Sequence, residues 1–115
     1  MRQSNPNFMN GVPELLILSL LARREMYGYE MVQALRMRSD AMFNFGEGVV
    51  YPVLHGLEKD GALTARRKTV AGRSRVYYAL TPVGSQRLDG MARDWSRLTD
   101  AIRGFLTDEP HAETV

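Results

Sequence analysis

Arg66, Arg67, Lys68, Arg73 and Arg75 lie close together in a stretch, residues 62 to 75, that contains no acidic residue. The whole chain carries a formal net charge of only +2, so the positive charge is local and its partner should be sought locally. Guanidinium and ammonium groups beside a hydroxyl, here Ser74, are the equipment for neutralising and hydrogen-bonding phosphate. The phenols of Tyr27 and Tyr51 can donate to the same kind of anion. The competing reading of such a run is a solvated charged strand edge that discourages pairing. Catalytic chemistry finds no comparable footing. There is no glycine-rich phosphate loop, no paired-carboxylate arrangement and no nucleophile with a base, so no enzyme activity is expected. The chain has no cysteine and only two histidines, far apart in sequence, which rules out disulfides and thiolate sites and predicts no metal and no cofactor.

The elements that must position these groups follow from pattern. A chain of 115 residues with 44% hydrophobic and 24% charged residues is expected to form one folded domain with a modest core. Residues 1–12 are polar and rich in Gly, Asn and Pro, the composition of a flexible arm. Pro13 and Glu14 suit the first turn of a helix, and Arg23 and Arg24 its last. "YGYEMVQALRMRSD" reads as a second helix after a short turn. "AMFNFGEG" reads as a linker, and a third helix stops at Asp60-Gly61. "ALTARRKTV" and "SRVYYALT" read as two β-strands of a hairpin with a basic tip, Val76, Tyr78 and Leu80 facing inward. Thr81-Pro82 then opens a last helix to about Thr107, and residues 108–115 form a loose tail. The longest apolar run, Leu15 to Ala22, is too short to span a bilayer, and no leader peptide precedes it, so a cytoplasmic protein without membrane association is expected.

Within the third helix, "GEGVVYPVLHGLEKDG" spaces Val50, Val53, Leu54 and Leu57 as one buried face, yet places Gly48, Pro52 and Gly56 in the same run. Pro52 removes the hydrogen bond to the Gly48 carbonyl and crowds it, which predicts a bend at the first turns. Gly48 and its neighbours either fit a tight linker and core or, if this helix meets DNA, leave its backbone bare for close approach to phosphate. His55 is expected to be a partly exposed helix residue with no switching role.

Leu88, Met91, Trp95, Leu98, Ile102 and Phe105 recur along the last helix at steps of three and four, a heptad seam with more apolar surface than one hairpin can cover. A partner subunit is therefore expected, with Leu15 and Leu18 of the first helix added to that seam as dimer interface. In a two-fold dimer the two Trp95 indoles come near one another. They could sandwich a planar aromatic ligand, with Met91 and Leu98 beside them and Asp94, Arg97 or Asp100 meeting its charge, or they could simply pack the interface.

Three short helices, a basic hairpin and a long helix are the order of a winged helix-turn-helix domain (residues 13–81) followed by a dimerisation helix (82–107), a mainly α fold with a small β-hairpin. The ordered set Tyr27-Gly28-Tyr29-Glu30, Tyr51-Pro52 before Leu57-Glu58, Gly72-Arg73 before Tyr77-Tyr78, and Leu80-Thr81 before Gly84 resembles the PadR family of bacterial transcriptional regulators. The single C-terminal helix is similar to that of its short subfamily, some of whose members bind flat aromatic compounds between paired helices. The resemblance implies a homodimeric repressor, with the third helix in the major groove of double-stranded DNA and the wing along phosphates or the minor groove. Carried onto this sequence, the DNA contacts would be Tyr27, Gly48, Val49, Tyr51, Arg67, Lys68, Arg73, Ser74 and Arg75. Two positions depart from the family pattern: Val49 stands where a threonine is usual, and Gly56 where an arginine is usual. Both changes shift the expected affinity toward the wing. A different class, a winged-helix module that binds protein and not nucleic acid, would tolerate charge reversal at Arg73 and Arg75.

Overall fold

The computed structural model describes residues 11–107; all of the expected tail and most of the expected N-terminal arm lie outside them. Helix α1 (Val12–Leu21) carries Pro13 at its second position and Glu14 in its first turn. It ends two residues before Arg23, so neither expected arginine sits in its last turn. The reason is a strand that the sequence pattern did not disclose: Met26–Tyr27 forms β1 and pairs antiparallel with the later strand β3 (Arg73–Leu80), Met26 opposite Tyr78 and Tyr27 opposite Tyr77. The chain must leave the helix early enough to reach that register.

Helix α2 (Gly28–Arg38) starts directly from β1, its entry fixed by the Tyr27 N–H donating to Glu30 Oε1 at 3.3 Å. Arg24, displaced from α1, reaches the same Glu30 carboxylate at 2.7 Å. The helix closes on Ser39, whose hydroxyl donates to the Leu35 carbonyl and accepts from the Phe43 N–H. Helix α3 (Glu47–Lys59) runs unbroken through Pro52. Val50, Leu54 and Leu57 are buried on one face and Val53 packs at its margin, as the spacing predicts.

Strands β2 (Leu63–Val70) and β3 form a hairpin in which Val70 opposes Arg73, leaving Ala71-Gly72 as the two-residue turn. Both turn residues have positive φ, 53° and 78°, which is the geometry that matches the right-handed twist of the strands. The sheet has three strands in the order β1-β3-β2. Tyr78 is buried against the helices, with Val76 and Leu80 packed at the edge of the core. Tyr77, on the opposite face, is also buried, because the Tyr27 ring meets it edge-on at 5.4 Å and the Lys68 ammonium lies over it.

The core joins Ile17 and Leu18 of α1, Met31 and Leu35 of α2, the α3 face, and Ala62 and Leu63 at the start of β2. Leu18 is fully enclosed within its own chain; the expectation that it contributes to a dimer interface is corrected here, since no surface remains for a partner to touch. Leu15 stays partly exposed.

Helix α4 (Pro82–Leu106) spans 25 residues, about 37 Å at 1.5 Å per residue. Its start is fastened to the corner between α3 and β2. The Thr81 hydroxyl accepts from the Gly84 N–H at 3.0 Å and donates to the Gly61 carbonyl at 2.6 Å, while the Thr81 N–H donates to the Ala62 carbonyl. Arg87 reaches Glu14 Oε2 at 2.6 Å and Asp60 Oδ2 at 3.2 Å, linking α4 to α1 and to the end of α3. These two carboxylates raise the Arg87 pKa above its ordinary value. Among the described residues no helix is long and apolar enough to cross a membrane.

Candidate nucleic-acid interface

Helix α3 presents outward the side that lacks side chains. Gly48, Pro52 and Gly56, spaced four apart, are all exposed, and a Cβ at either glycine would meet open space. Residues four apart share one helical face, so the exposed surface of α3 includes a strip with little side chain, flanked by Val49, 40% exposed, and by His55. Among the described residues nothing requires glycine at these two positions. A partner approaching the backbone closely would.

Beside this strip an open groove runs between the wing and the first turn of α2, lined by Tyr27, Gly28, Tyr29, Tyr51, Arg67, Arg73, Ser74, Arg75 and Val76. Six of the nine residues expected to meet DNA therefore border one concavity. They come from β1, α3 and both wing strands, so no local sequence window contains them. The Tyr51 ring owes its place to Gly28, where a Cβ would collide with its outer edge. The Arg75 guanidinium lies 4.2 Å from the centroid of the Tyr27 ring, a stacking contact that holds a flexible cation in one direction. Arg67 Nη1 donates to Ser74 Oγ across the hairpin at 3.3 Å. Tyr29 was not expected at this site, although the motif Tyr27-Gly28-Tyr29 pointed to it. It is 48% exposed, and its hydroxyl accepts from Gln33 Nε2.

Two of the expected wing cations part company. Arg67 and Lys68 point to opposite sides of the sheet, but the side alone does not decide which cation reaches the groove, since Lys68 pairs with Arg75 and shares its face. Arg67 turns toward the groove. Lys68 is not brought to it: its ammonium sits in an ion pair with Glu25, which also holds Arg66 at 3.5 Å. The hydrogen bond from Lys68, before any other cause, lowers the Glu25 pKa from its ordinary value.

On α4 the heptad seam divides. Leu88 and Met91 pack against the chain's own core, and Trp95 is half-buried. Beyond it Leu98, Ile102 and Phe105 are 44%, 46% and 85% exposed. The residues expected around a planar ligand do not all converge. Trp95, Met91 and Leu98 lie on one side of the helix, and Asp94 is next to it with its carboxylate 4.0 Å from Arg97. Asp100 lies five positions past Trp95, about 140° around the helix, and pairs with Arg103 at 3.0 Å; it does not face the indole of its own chain. Among the described residues no group of three or more His, Asp or Glu could hold a metal ion.

Comparison with known proteins agrees with this geometry. The family model described as the transcriptional regulator PadR-like family matches residues 17–90. The transcriptional regulator Rv3488 of Mycobacterium tuberculosis is 32% identical over 104 residues, covering 90% of this chain and 92% of that protein. Among solved structures, a PadR-like transcriptional regulator from Bacillus cereus superposes with a TM-score of 0.80 at 27% identity, covering 90% of this chain and 100% of that one. A PadR family transcription regulator from Clostridium difficile superposes with a TM-score of 0.75 at 28% identity, covering 84% and 99%. With helix-turn-helix, basic wing and long terminal helix in place, this chain belongs to the PadR-like family of transcriptional regulators, DNA-binding proteins and not enzymes.

Proposed function

We propose that the protein acts as a homodimer that represses transcription from an inverted-repeat operator and is released by a planar aromatic effector held between its subunits. The observation that carries the dimer is the apolar stripe Leu98, Ile102 and Phe105, which stays uncovered after the chain's own core is complete. Leu15 of α1 and Trp95 are likewise only partly buried and are available to a partner. Two-fold symmetry then calls for half-sites about one helical turn apart, roughly 10 bp. Repression is the sign that kinship with this family implies.

In this reading the bare start of α3, Gly48 and Val49, enters the major groove, where the valine offers a methyl surface to thymine. Tyr27, Tyr51, Arg67, Arg73, Ser74 and Arg75 grip the adjacent backbone. Lys68 is left out of that set because its charge is already met within the chain. An effector would lie against Trp95, Met91 and Leu98, with Asp94 at the margin, and would act by changing the spacing of the two recognition helices.

The deciding experiment is fluorescence anisotropy of labelled genomic fragments titrated with the protein at two salt concentrations. Tight, salt-dependent binding of a discrete fragment is expected, and Arg73→Ala should flatten the dependence by about one unit of slope on a log–log plot. An unchanged slope would remove Arg73 from the phosphate contacts, and no fragment preferred over bulk DNA would favour a protein-binding module. Trp95 emission, followed against planar aromatics, tests the effector. Saturable quenching, with binding measured by calorimetry that is lost in Trp95→Phe while the dimer persists, supports it, and indifference to every compound leaves Trp95 as interface packing.

A further inference from the structure

We infer that Glu25 is a positioning residue that withholds Lys68 and Arg66 from DNA and so sets the sequence-independent part of the protein's affinity. This rests on the DNA-binding reading above. The hairpin sequence carries five cations and no acid, but the fold supplies the acid from far along the chain. Glu25 immediately precedes β1, and the pairing of Tyr27 with Tyr77 brings it beside the face of the wing that carries Arg66 and Lys68.

Lys68 is held from two directions. Its ammonium is in an ion pair with Glu25 and lies 4.6 Å from the centre of the Tyr77 ring, and its side chain is only 30% exposed. Arg66 is 70% exposed and looser, with its guanidinium 3.5 Å from the other Glu25 oxygen. Arg67, Arg73 and Arg75 have no carboxylate partner among the described residues. The wing therefore divides into three cations offered to the groove and two tied to a carboxylate.

That division matters because each protein cation that neutralises a phosphate releases condensed counterions, and a cation already matched by a carboxylate does so poorly. Phosphate contacts raise affinity for every sequence alike. A regulator that must leave bulk DNA to find one operator is served by limiting them. Glu25 gives these two side chains the anionic oxygens that a phosphate would otherwise offer.

The test is Glu25→Gln, which keeps shape and removes charge, measured against a random-sequence duplex at several salt concentrations. The variant should bind the random duplex more tightly, and its log–log salt slope should steepen by about one to two units. Between 50 and 200 mM salt that adds roughly four- to sixteenfold to the loss of affinity. Adding Lys68→Met should return most of the extra slope, a reversal that a merely structural role for Glu25 would not give. Circular dichroism and melting temperature establish that each variant is folded. Equal or weaker binding by folded Glu25→Gln, with unchanged slope, would overturn the proposal while leaving the DNA-binding reading intact; failure of the unmodified protein to bind any duplex would overturn both.

Discussion

At the scale of single residues, the groove depends on an absence. Gly28 opens α2, and the space its missing Cβ would fill holds the edge of the Tyr51 ring. The obstructing atoms are the far end of a side chain, which can swing aside at modest energetic expense. Gly28→Ala should therefore change stability by no more than about 1 kcal/mol, because relief of glycine's backbone entropy offsets the repacking. DNA affinity should fall about fivefold, the worth of one hydrogen bond of roughly 1 kcal/mol from the displaced phenol. Tyr51→Phe should reproduce that loss, and the double variant should add little to it, since both act on one contact. Additive losses measured by anisotropy would mean that Gly28 acts through something other than Tyr51.

Among the elements, α4 matters most for where it is fastened. Its first turn is fitted to the α3–β2 corner so tightly that a Cβ at Gly84 would strike the Ala62 carbonyl and come within 2.8 Å of Leu80 Cδ1. Backbone cannot yield as a flexible side chain does. Gly84→Ala should thus destabilise the protein by about 2–3 kcal/mol, read as a lowered urea midpoint at unchanged m-value. A melt indistinguishable from the parent would show that the corner is looser than its contacts indicate. The helices were legible in the sequence because their signals are local: Pro13, the Thr81 cap and the spacing of Val50, Leu54 and Leu57 each lie within a turn or two of what they specify. Strand β1 was not, since two residues carry no period and pair only with Tyr77 and Tyr78, some fifty positions away. The same distance concealed Glu25. A window that counts charges from 62 to 75 finds no acid, and only the sheet register brings one there. The site was legible as a set of groups, and its groove was not, because Tyr27, Tyr51 and Arg73 meet only once three elements have packed.

For the whole molecule, the fastening of α4 gives its exposed half a mechanical meaning. The helix is anchored at the end of α3 through Thr81, Gly84 and Arg87, so two chains joined along Leu98, Ile102 and Phe105 would hold two recognition helices at a set spacing. Burying an exposed aliphatic or aromatic side chain contributes roughly 1.5–3 kcal/mol, and each seam residue is buried twice in a symmetric pair. Ile102→Glu with Phe105→Glu removes those contributions and places like charges across the seam. The variant should sediment as a monomer at concentrations where the parent is a dimer, with dissociation strengthened at least a hundredfold, or about 2.7 kcal/mol. Its fold should persist, because neither side chain supports the core. On DNA, the monomer should keep salt-dependent binding to a single half-site while losing the preference for an inverted repeat, since only a covalent or dimeric link makes the second contact intramolecular. A variant that remains dimeric would move the interface off this stripe, toward Leu15 and the face of α1. One that turns monomeric yet still prefers the inverted repeat would place the coupling of half-sites in the DNA and not in α4.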